Sequence, residues 1–556
     1  MITSKFAGKD RLQLHRVGLR TARCALLLGM FAASSWASAA GGAAVFNKGD
    51  SVDVAPWTPD VVTAIDEYVP SPSFNFGRFN LDHFAAANSL DQQGAVTAQL
   101  ANGSIVVAGL VPDGVGGGFC GDGTKLCSIG LVNYNTIGQR LTWPSAGVNG
   151  RFSNNYVVWP SAGSYPWGYR YIRDVSVRGN LIDVLVDWID PSRPGLGRAD
   201  VAIATFRDTG EFEGWNLIFG SSGSGTESED FYGAQMIQIN STTMIVAATT
   251  FDSIGSYISV TRLVTNVNQT PSKDATWGVP YNPAPNTFFA NRLERYYPPG
   301  SLCAGPPCNA NAGFVARQEG FATATDFYVS GSIEVSGNDF DVVTLKISSA
   351  TGDLKTEFSN DGWVRTSFDQ PNSTFKDLAA GLYVYQDDVY IGAQVAQKCD
   401  DGIGMAKING ATGGFITAFG GSGKVVFGGV GNAPACFTGN NNAVPFAITA
   451  TGGRIGIAGY QATALIMGGT RFDPMLAVVN AVNGEVLDID SHPVLRADGT
   501  RFGDAVLYGI YGGPSVTSPF TVSGNGRDTT AGNTLSYLTG RFVPVSSDRI
   551  FANGFD

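Results

Sequence analysis

TGDLKTEFSNDGWVRTSF (Thr351–Phe368) and TGGFITAFGGSGKVVF (Thr412–Phe427) decide how this chain folds. Taken alone, FGGSGKVVF (Phe419–Phe427) invites a reading as a phosphate-cradling loop, because three glycines and a serine precede Lys424. A phosphate loop needs G-x-x-x-x-G-K-[ST] between a strand and a helix, whereas Lys424 runs into Val425 and a β-type run. Aligned on their Thr-Gly pairs, the two stretches superpose Phe358 on Phe419 and Gly362 on Gly423, and put Trp363 where Lys424 stands. A phosphate ligand does not accept that exchange, but a turn entering a strand does. The glycines are therefore expected to serve a turn, where positive φ favours them, and Lys424 is expected to meet only water.

Working outward, short strands ending in a small residue recur along the chain. They are SIVVAG (Ser104–Gly109), DVLVDW (Asp183–Trp188), MIVAA (Met244–Ala248), FYVSG (Phe327–Gly331), VYIGA (Val389–Ala393), IGIAG (Ile455–Gly459) and FTVSG (Phe520–Gly524). A second strand follows, as in DVVTLKI (Asp341–Ile347), GMAKI (Gly404–Ile408) and MLAVVN (Met475–Asn480), and then a turn at Thr209-Gly210, Thr351-Gly352, Thr412-Gly413 or Asn483-Gly484. A period of roughly 60 residues holding about four short strands is that of a propeller blade. One such sheet cannot bury both faces by itself, so neighbours must stack and the ring must close. The expected fold is all-β: a β-propeller of about seven four-stranded blades. The last copy, Phe520–Phe542, stops at Thr539-Gly540, read as its turn, and lacks the strand that should follow. FNFGRFNLDHF (Phe74–Phe84) is expected to supply that strand, so that the N-terminal segment closes the ring and removes exposed sheet edges.

These copies resemble the delta-60 β-propeller repeat of bacterial exported proteins, whose pattern runs from a small-Gly strand into TG-x-L-D-x-x-F-G-x-x-G. The likeness is good over Phe327–Phe427 and partial over Ala101–Phe542. Thr351–Phe358 lacks the usual Asp after Leu354, and the third blade lacks the Thr-Gly turn. The resemblance implies a fold and an exported setting, and brings no catalytic residues with it.

Residues 1–39 read as an export signal: six Lys and Arg, the apolar run Cys24–Ala33, then Ala37-Ser38-Ala39. Residues 40–547 are expected to form the single propeller, and DRIFANGFD (Asp548–Asp556) a tail that is either a sorting tag or a plain terminus. Cleavage near Ala39 removes six basic residues and Asp10, taking the formal charge from −11 to −16. That charge repels nucleic acid and anionic membrane surfaces. No stretch approaches about 18 uninterrupted apolar residues, so membrane insertion is not expected. The setting implied is the periplasm, the cell surface or the medium, with the protein a monomer. Six cysteines remain, Cys120, Cys127, Cys303, Cys308, Cys399 and Cys436, an even number suited to structural disulfides in an oxidising compartment. Sequence proximity suggests the pairs 120–127, 303–308 and 399–436, among fifteen possible pairings.

Chemistry is less legible. The mature chain has two histidines, His83 and His492, and no G-x-S-x-G elbow, which leaves a Ser-His-Asp triad unsupported. Asp183 and Asp187 alternate along one strand, and Glu227, Glu229 and Asp230 cluster before another, so paired carboxylates are available for acid/base work. DIDSH (Asp488–His492), RADGTRFGD (Arg496–Asp504) and SGNDFD (Ser336–Asp341) offer oxygens to calcium, but none follows the EF-hand loop, and turn chemistry explains them first. No cofactor or metal site is therefore assigned. Two aromatic stretches, YPWGYRYIRD (Tyr165–Asp174) and NTFFANRLERYYPPG (Asn286–Gly300), offer Trp167, Tyr169, Tyr171, Arg292, Tyr296 and Tyr297 as platforms for a sugar or a protein partner.

The primary reading is an exported, non-enzymatic scaffold that binds a glycan or protein. The alternatives are a carboxylate-dependent glycan hydrolase or lyase, and a structural envelope protein. The enzyme reading requires at least two acids from different blades pointing into one pocket near the central channel; the scaffold reading requires loop aromatics on a common face and no such pair. Intact-mass measurement of the exported protein is expected to show the loss of residues 1–39 and of six hydrogens, for three disulfides; a mass fitting free thiols would remove the disulfide assignment.

Overall fold

A computed structural model describes the chain between residues 67 and 545, apart from connecting stretches, chiefly 83–95, 113–126, 144–150, 155–167, 190–198, 221–229, 278–293, 298–308, 318–325, 429–441 and 529–533, and shorter gaps. The six cysteines fall outside the described residues except for the backbone of Cys127, as do the export signal, the C-terminal tail, Trp167, Arg292, His83, Glu227 and Glu229.

The described residues form seven antiparallel sheets, five of four strands and two of five. In chain order, the blades run Val96–Asn154, Gly168–Phe219, Asp230–Lys273, Ala310–Thr366, Asp377–Phe427, Ala443–Ser491 and Gly503–Val545. The first strand of each blade packs against the first strand of the next, and Gly503–Gly512 of blade seven meets Val96–Gln99 of blade one, so the ring closes. No helix is present among the described residues. The fold is a seven-bladed β-propeller.

Closure uses N-terminal residues, at a different place from the one expected. Glu67–Pro70 pairs with Phe542–Val545 as the fourth strand of blade seven, while Asn80–Asp82, inside the stretch nominated from sequence, pairs with Tyr537–Thr539. Thr539-Gly540 is not a turn. It lies mid-strand in Thr534–Val545, opposite Ser523 and Val522. Glycine is needed at position 540 because a Cβ there would stand 2.5 Å from the ring of Phe79.

The Thr-Gly turns do behave as read. Gly210, Gly352, Gly413 and Asn-preceded Gly484 all hold positive φ, between 73° and 87°. The two defining stretches share one backbone: Gly420 and Gly421 sit at φ 62° and 78°, and their counterparts Ser359 and Asn360 at 59° and 67° without being glycine. Each stretch then enters a four-residue outer strand, Trp363–Thr366 or Lys424–Phe427. Phe358 and Phe419 are buried, each edge-on to a second-strand tyrosine, Tyr328 or Tyr390. Lys424 does not meet only water: Nζ donates to the Ser367 carbonyl of the preceding blade at 2.7 Å and lies 5.0 Å from the Phe415 ring centre.

Blades are joined by the same contacts repeated. A third-strand cation reaches the backbone carbonyl just beyond the third strand of the next blade. Arg262 donates to Ser349 O (2.9 Å), Lys346 to Gly410 O (2.9 Å), Lys407 to Ala481 O (3.1 Å) and, across the closure, Arg541 to Thr136 O (2.5 Å). Tyr328 and Tyr390, the cross-strand partners of Lys346 and Lys407, donate their hydroxyls to the same two carbonyls. Nearer the opposite face, second-strand side chains accept from amides at the bulges of the next first strand. These are Asp187 from Gly233, Thr249 from Ala312 and Ser332 from Ala379. In blade six the equivalent bulge begins at Pro445, which has no amide to donate.

Because a non-glycine residue in the left-handed region is strained, Ser359→Gly is expected to stabilise the fold by up to about 1 kcal/mol. Gly420→Ala, whose Cβ would fall 2.3 Å from Lys424 O, is expected to destabilise it by more than about 1 kcal/mol. Urea unfolding of the two variants checks both signs.

Candidate functional site

Two kinds of connection share one face of the ring: the hairpins between second and third strands, and the links from each fourth strand to the next blade. At blades four and five these bring four aspartates together. Asp339 and Asp341 open the third strand of blade four, Asp369 lies in the link after Thr366, and Asp377 begins the first strand of blade five. The link is fastened to that third strand by a Phe340 N–H to Phe375 O hydrogen bond of 3.0 Å and by a parallel bridge between Phe340 and Lys376. Asp377 caps the link by accepting from the Phe368 amide. Oxygens of Asp339, Asp341 and Asp369 lie within 4.8 Å of one another.

The charge there is poorly balanced. Arg365 Nε stands 3.1 Å from Asp341 Oδ2 and is the one cation ion-paired to these four acids among the described residues. Asp341 and Asp377 are buried, Asp339 is half-buried and Asp369 is exposed. Burial, reinforced by the neighbouring carboxylates, pushes Asp377 up to about 7. Burial likewise pushes Asp341 up to about 6, although Arg365 opposes it, and raises Asp339 above its ordinary value with help from Asp369. Oδ1 of Asp339, Asp341 and Asp377 and the hydroxyl of Thr366 are buried without a hydrogen-bond partner.

The same scaffold position elsewhere in the ring provides a control. Asp341 lies two residues before Val343, which faces Gly331, and Asp473 lies two residues before Met475, which faces Gly459. Asp473 is also buried, but it is held by both Arg471 and Arg501, with Arg471 Nε at 2.8 Å. Blade six thus neutralises its acid with two arginines, while blade four surrounds its acid with three more.

Beside the cluster Phe375 is 43% exposed and holds φ 53°, a left-handed conformation that a bulky residue rarely adopts. Strain of this kind persists where surrounding structure enforces it and concentrates at functional sites. An exposed aromatic ring next to carboxylates is the surface that a sugar ring fits.

The residues nominated from sequence are distributed otherwise. Tyr171, half-buried on the first strand of blade two, has the Arg173 guanidinium 4.8 Å from its ring centre. Tyr297, expected on an exposed platform, is 8% exposed in the core of blade three, its hydroxyl donating to Gly352 O. Tyr169 and Tyr296 contribute backbone to strands, opposite Trp188 and Ser259. Asp183 and Asp187 are both buried but do not form a reactive pair. Asp183 is bound by Arg178 and Thr205, and Asp187 by Arg173 and the Gly233 amide. His492 is half-buried against Phe542, and burial lowers its proton affinity. Of the calcium candidates, SGNDFD supplied Asp339 and Asp341. Asp369, Asp377 and Phe375 were missed because only the blade-to-blade link brings them alongside.

No family model and no curated protein matches the chain. Solved structures to which the chain is similar include the polysaccharide lyase Uly1 (TM-score 0.40, 9% identity, covering 87% of this chain and 98% of that one). They also include the GH93 α-L-arabinofuranosidase of Fusarium graminearum with arabinobiose (0.32, 10%, 88% and 98%). Trypanosoma rangeli sialidase in complex with the inhibitor DANA is a third (0.36, 10%), of which the match spans 58% against 86% of this chain. No residue role is carried over from them.

A carboxyl group whose proton affinity is raised by folding stabilises the native state only while it is protonated. Stability held below the unfolded-state value is therefore lost as pH rises through the folded-state value. In chelator-containing buffer Asp377→Asn is expected to melt as the parent does at pH 4 and at a higher temperature at pH 8. Equal melting temperatures at pH 8 would show that Asp377 is not forced into an unfavourable charged state.

Proposed function

We propose that this protein is an exported β-propeller that cleaves a glycan at the junction of blades four and five. The observation that carries the reading is the convergence of carboxylates from two blades on the face built from connecting loops. Acids drawn together from more than one blade are part of what the enzyme reading requires and the scaffold reading does not. Asp339, half-buried and holding its proton more tightly than an ordinary aspartate, is suited to protonate a leaving oxygen. Asp369, exposed opposite it, is suited to act as the ionised partner. Their oxygens lie within 4.8 Å of one another, closer than the about 6.5–9.5 Å at which inverting glycosidases lodge a water. Phe375 offers its ring face to the sugar, and buried Asp341 and Asp377 set the field behind the pair.

The six cysteines fit the oxidising setting that export implies. Binding without cleavage is the second reading, favoured by the burial of Asp341 and Asp377, which leaves only part of the cluster open to a ligand.

Incubating the mature protein with a panel of neutral and acidic polysaccharides and assaying new reducing ends tests the proposal. Cleavage is expected with retention at the anomeric carbon, to fall at least about 100-fold in Asp339→Asn and Asp369→Asn, and to show a raised KM in Phe375→Ala. Glycan binding with no cleavage of any substrate would establish the second reading instead.

A further inference from the structure

We infer that Asp339, Asp341 and Asp369 form a binding site for one calcium ion on blade four, beside the buried Asp377 of blade five. This rests on the reading of that cluster as the working site, and adds a ligand which that reading does not contain.

Three observations converge. The first is geometric: three carboxylates offer oxygens within 4.8 Å of one another. Oxygens that close can be gathered by one calcium ion, whose bonds to oxygen are about 2.3–2.6 Å long. The second is unmet demand. Asp377 is fully buried, yet its Oδ1 has no hydrogen-bond partner, and its charge interacts with Asp339, Asp341 and Asp369. Asp341 Oδ1, on a side chain only 5% exposed, is likewise without a partner. Leaving buried acceptors unpaired costs about 1–3 kcal/mol each, and more when they are charged. The third is the contrast with Asp473, which occupies the same blade position but is ion-paired to two arginines.

The ligand is a hard divalent cation because every group offered is a carboxylate oxygen, with no histidine or cysteine in the group. Its ligands come from the third strand of blade four and the link after the fourth, so the ion fastens the link to blade four. Protons and calcium compete for the same oxygens. The groups facing the ion are Asp339 and Asp341 on the third strand, Arg365 on the fourth, Asp369 in the link and Asp377 on the next blade. Lys376, beside Asp377, has its charge near Asp401. With calcium bound, Asp339 cannot carry the proton that cleavage requires, so the ion stabilises the fold and suppresses the reaction.

The full mature protein, stripped with EDTA and dialysed, is titrated with calcium chloride and separately with magnesium chloride by calorimetry, with melting temperature as a second readout. One calcium per chain, a rise in melting temperature of about 5 °C or more at saturation and much weaker magnesium binding are expected. Asp369→Asn, at an exposed position that leaves the fold undisturbed, and Asp341→Asn are expected to weaken calcium at least 10-fold, while Asp490→Asn, outside the cluster, leaves it unchanged. No calcium binding, or equal affinity in parent, Asp369→Asn and Asp341→Asn, would overturn the inference. The two readings fail separately: cleavage that is indifferent to calcium and EDTA sinks the ion and keeps the enzyme, whereas calcium binding without cleavage of any glycan keeps the ion and sinks the enzyme.

Discussion

The carbonyl just beyond each third strand is where one blade takes hold of the next. At blades four and five that carbonyl receives a tyrosine hydroxyl and a lysine ammonium from the preceding blade, and the same pair recurs one blade later. A four-stranded sheet is too small to be stable alone, so the ring stands on contacts between sheets rather than within them. Apolar packing joins neighbours without fixing their rotation. A charged donor aimed at one carbonyl does fix it, and the burial of Lys346 and Lys407 makes the bond costly to lose. Arg541, reaching Thr136, applies the same constraint across the closure between last and first blades.

Glycine follows from that constraint. Gly352, Gly413 and Gly484 lie three residues beyond the held carbonyls and turn at positive φ against the preceding blade. A Cβ on Gly413 would stand 2.8 Å from Val364, and one on Gly484 3.1 Å from Val425. The repeat therefore conserves shape within the molecule rather than a ligand. Ser359 and Asn360 adopt the backbone of Gly420 and Gly421 because the surrounding blade imposes it.

Against this regular frame the acid cluster is the exception. Most buried charges in the ring are answered locally: Asp183 by Arg178, Asp187 by Arg173, Asp473 by Arg471 and Arg501. Around Asp341 the frame gathers further carboxylates and only one arginine. A surplus of like charge in a half-buried place destabilises the fold unless protons, a cation or a substrate relieve it. The strained, exposed Phe375 beside it points the same way, since a fold rarely keeps two such costs together without use.

The sequence by itself determined the period, the β class, a count of about seven blades and the use of N-terminal residues for closure. Those follow from local signals: alternation sets strands, Thr-Gly sets turns, and the Phe-to-Gly spacing repeats. It did not determine which N-terminal residues close the ring, because Phe74–Phe84 and Glu67–Pro70 both suit an edge and only pairing along Thr534–Val545 chooses between them. Nor did it give Lys424 its partner, which lies on another blade. Tyr297 and Asp187 read as surface chemistry until packing buried them. Asp339 and Asp341 were visible as an oxygen-rich stretch, but Asp369 and Asp377 looked like ordinary link residues. Chemistry in a propeller is made between blades, and the distance between blades is a property of the closed ring, which no single repeat encodes.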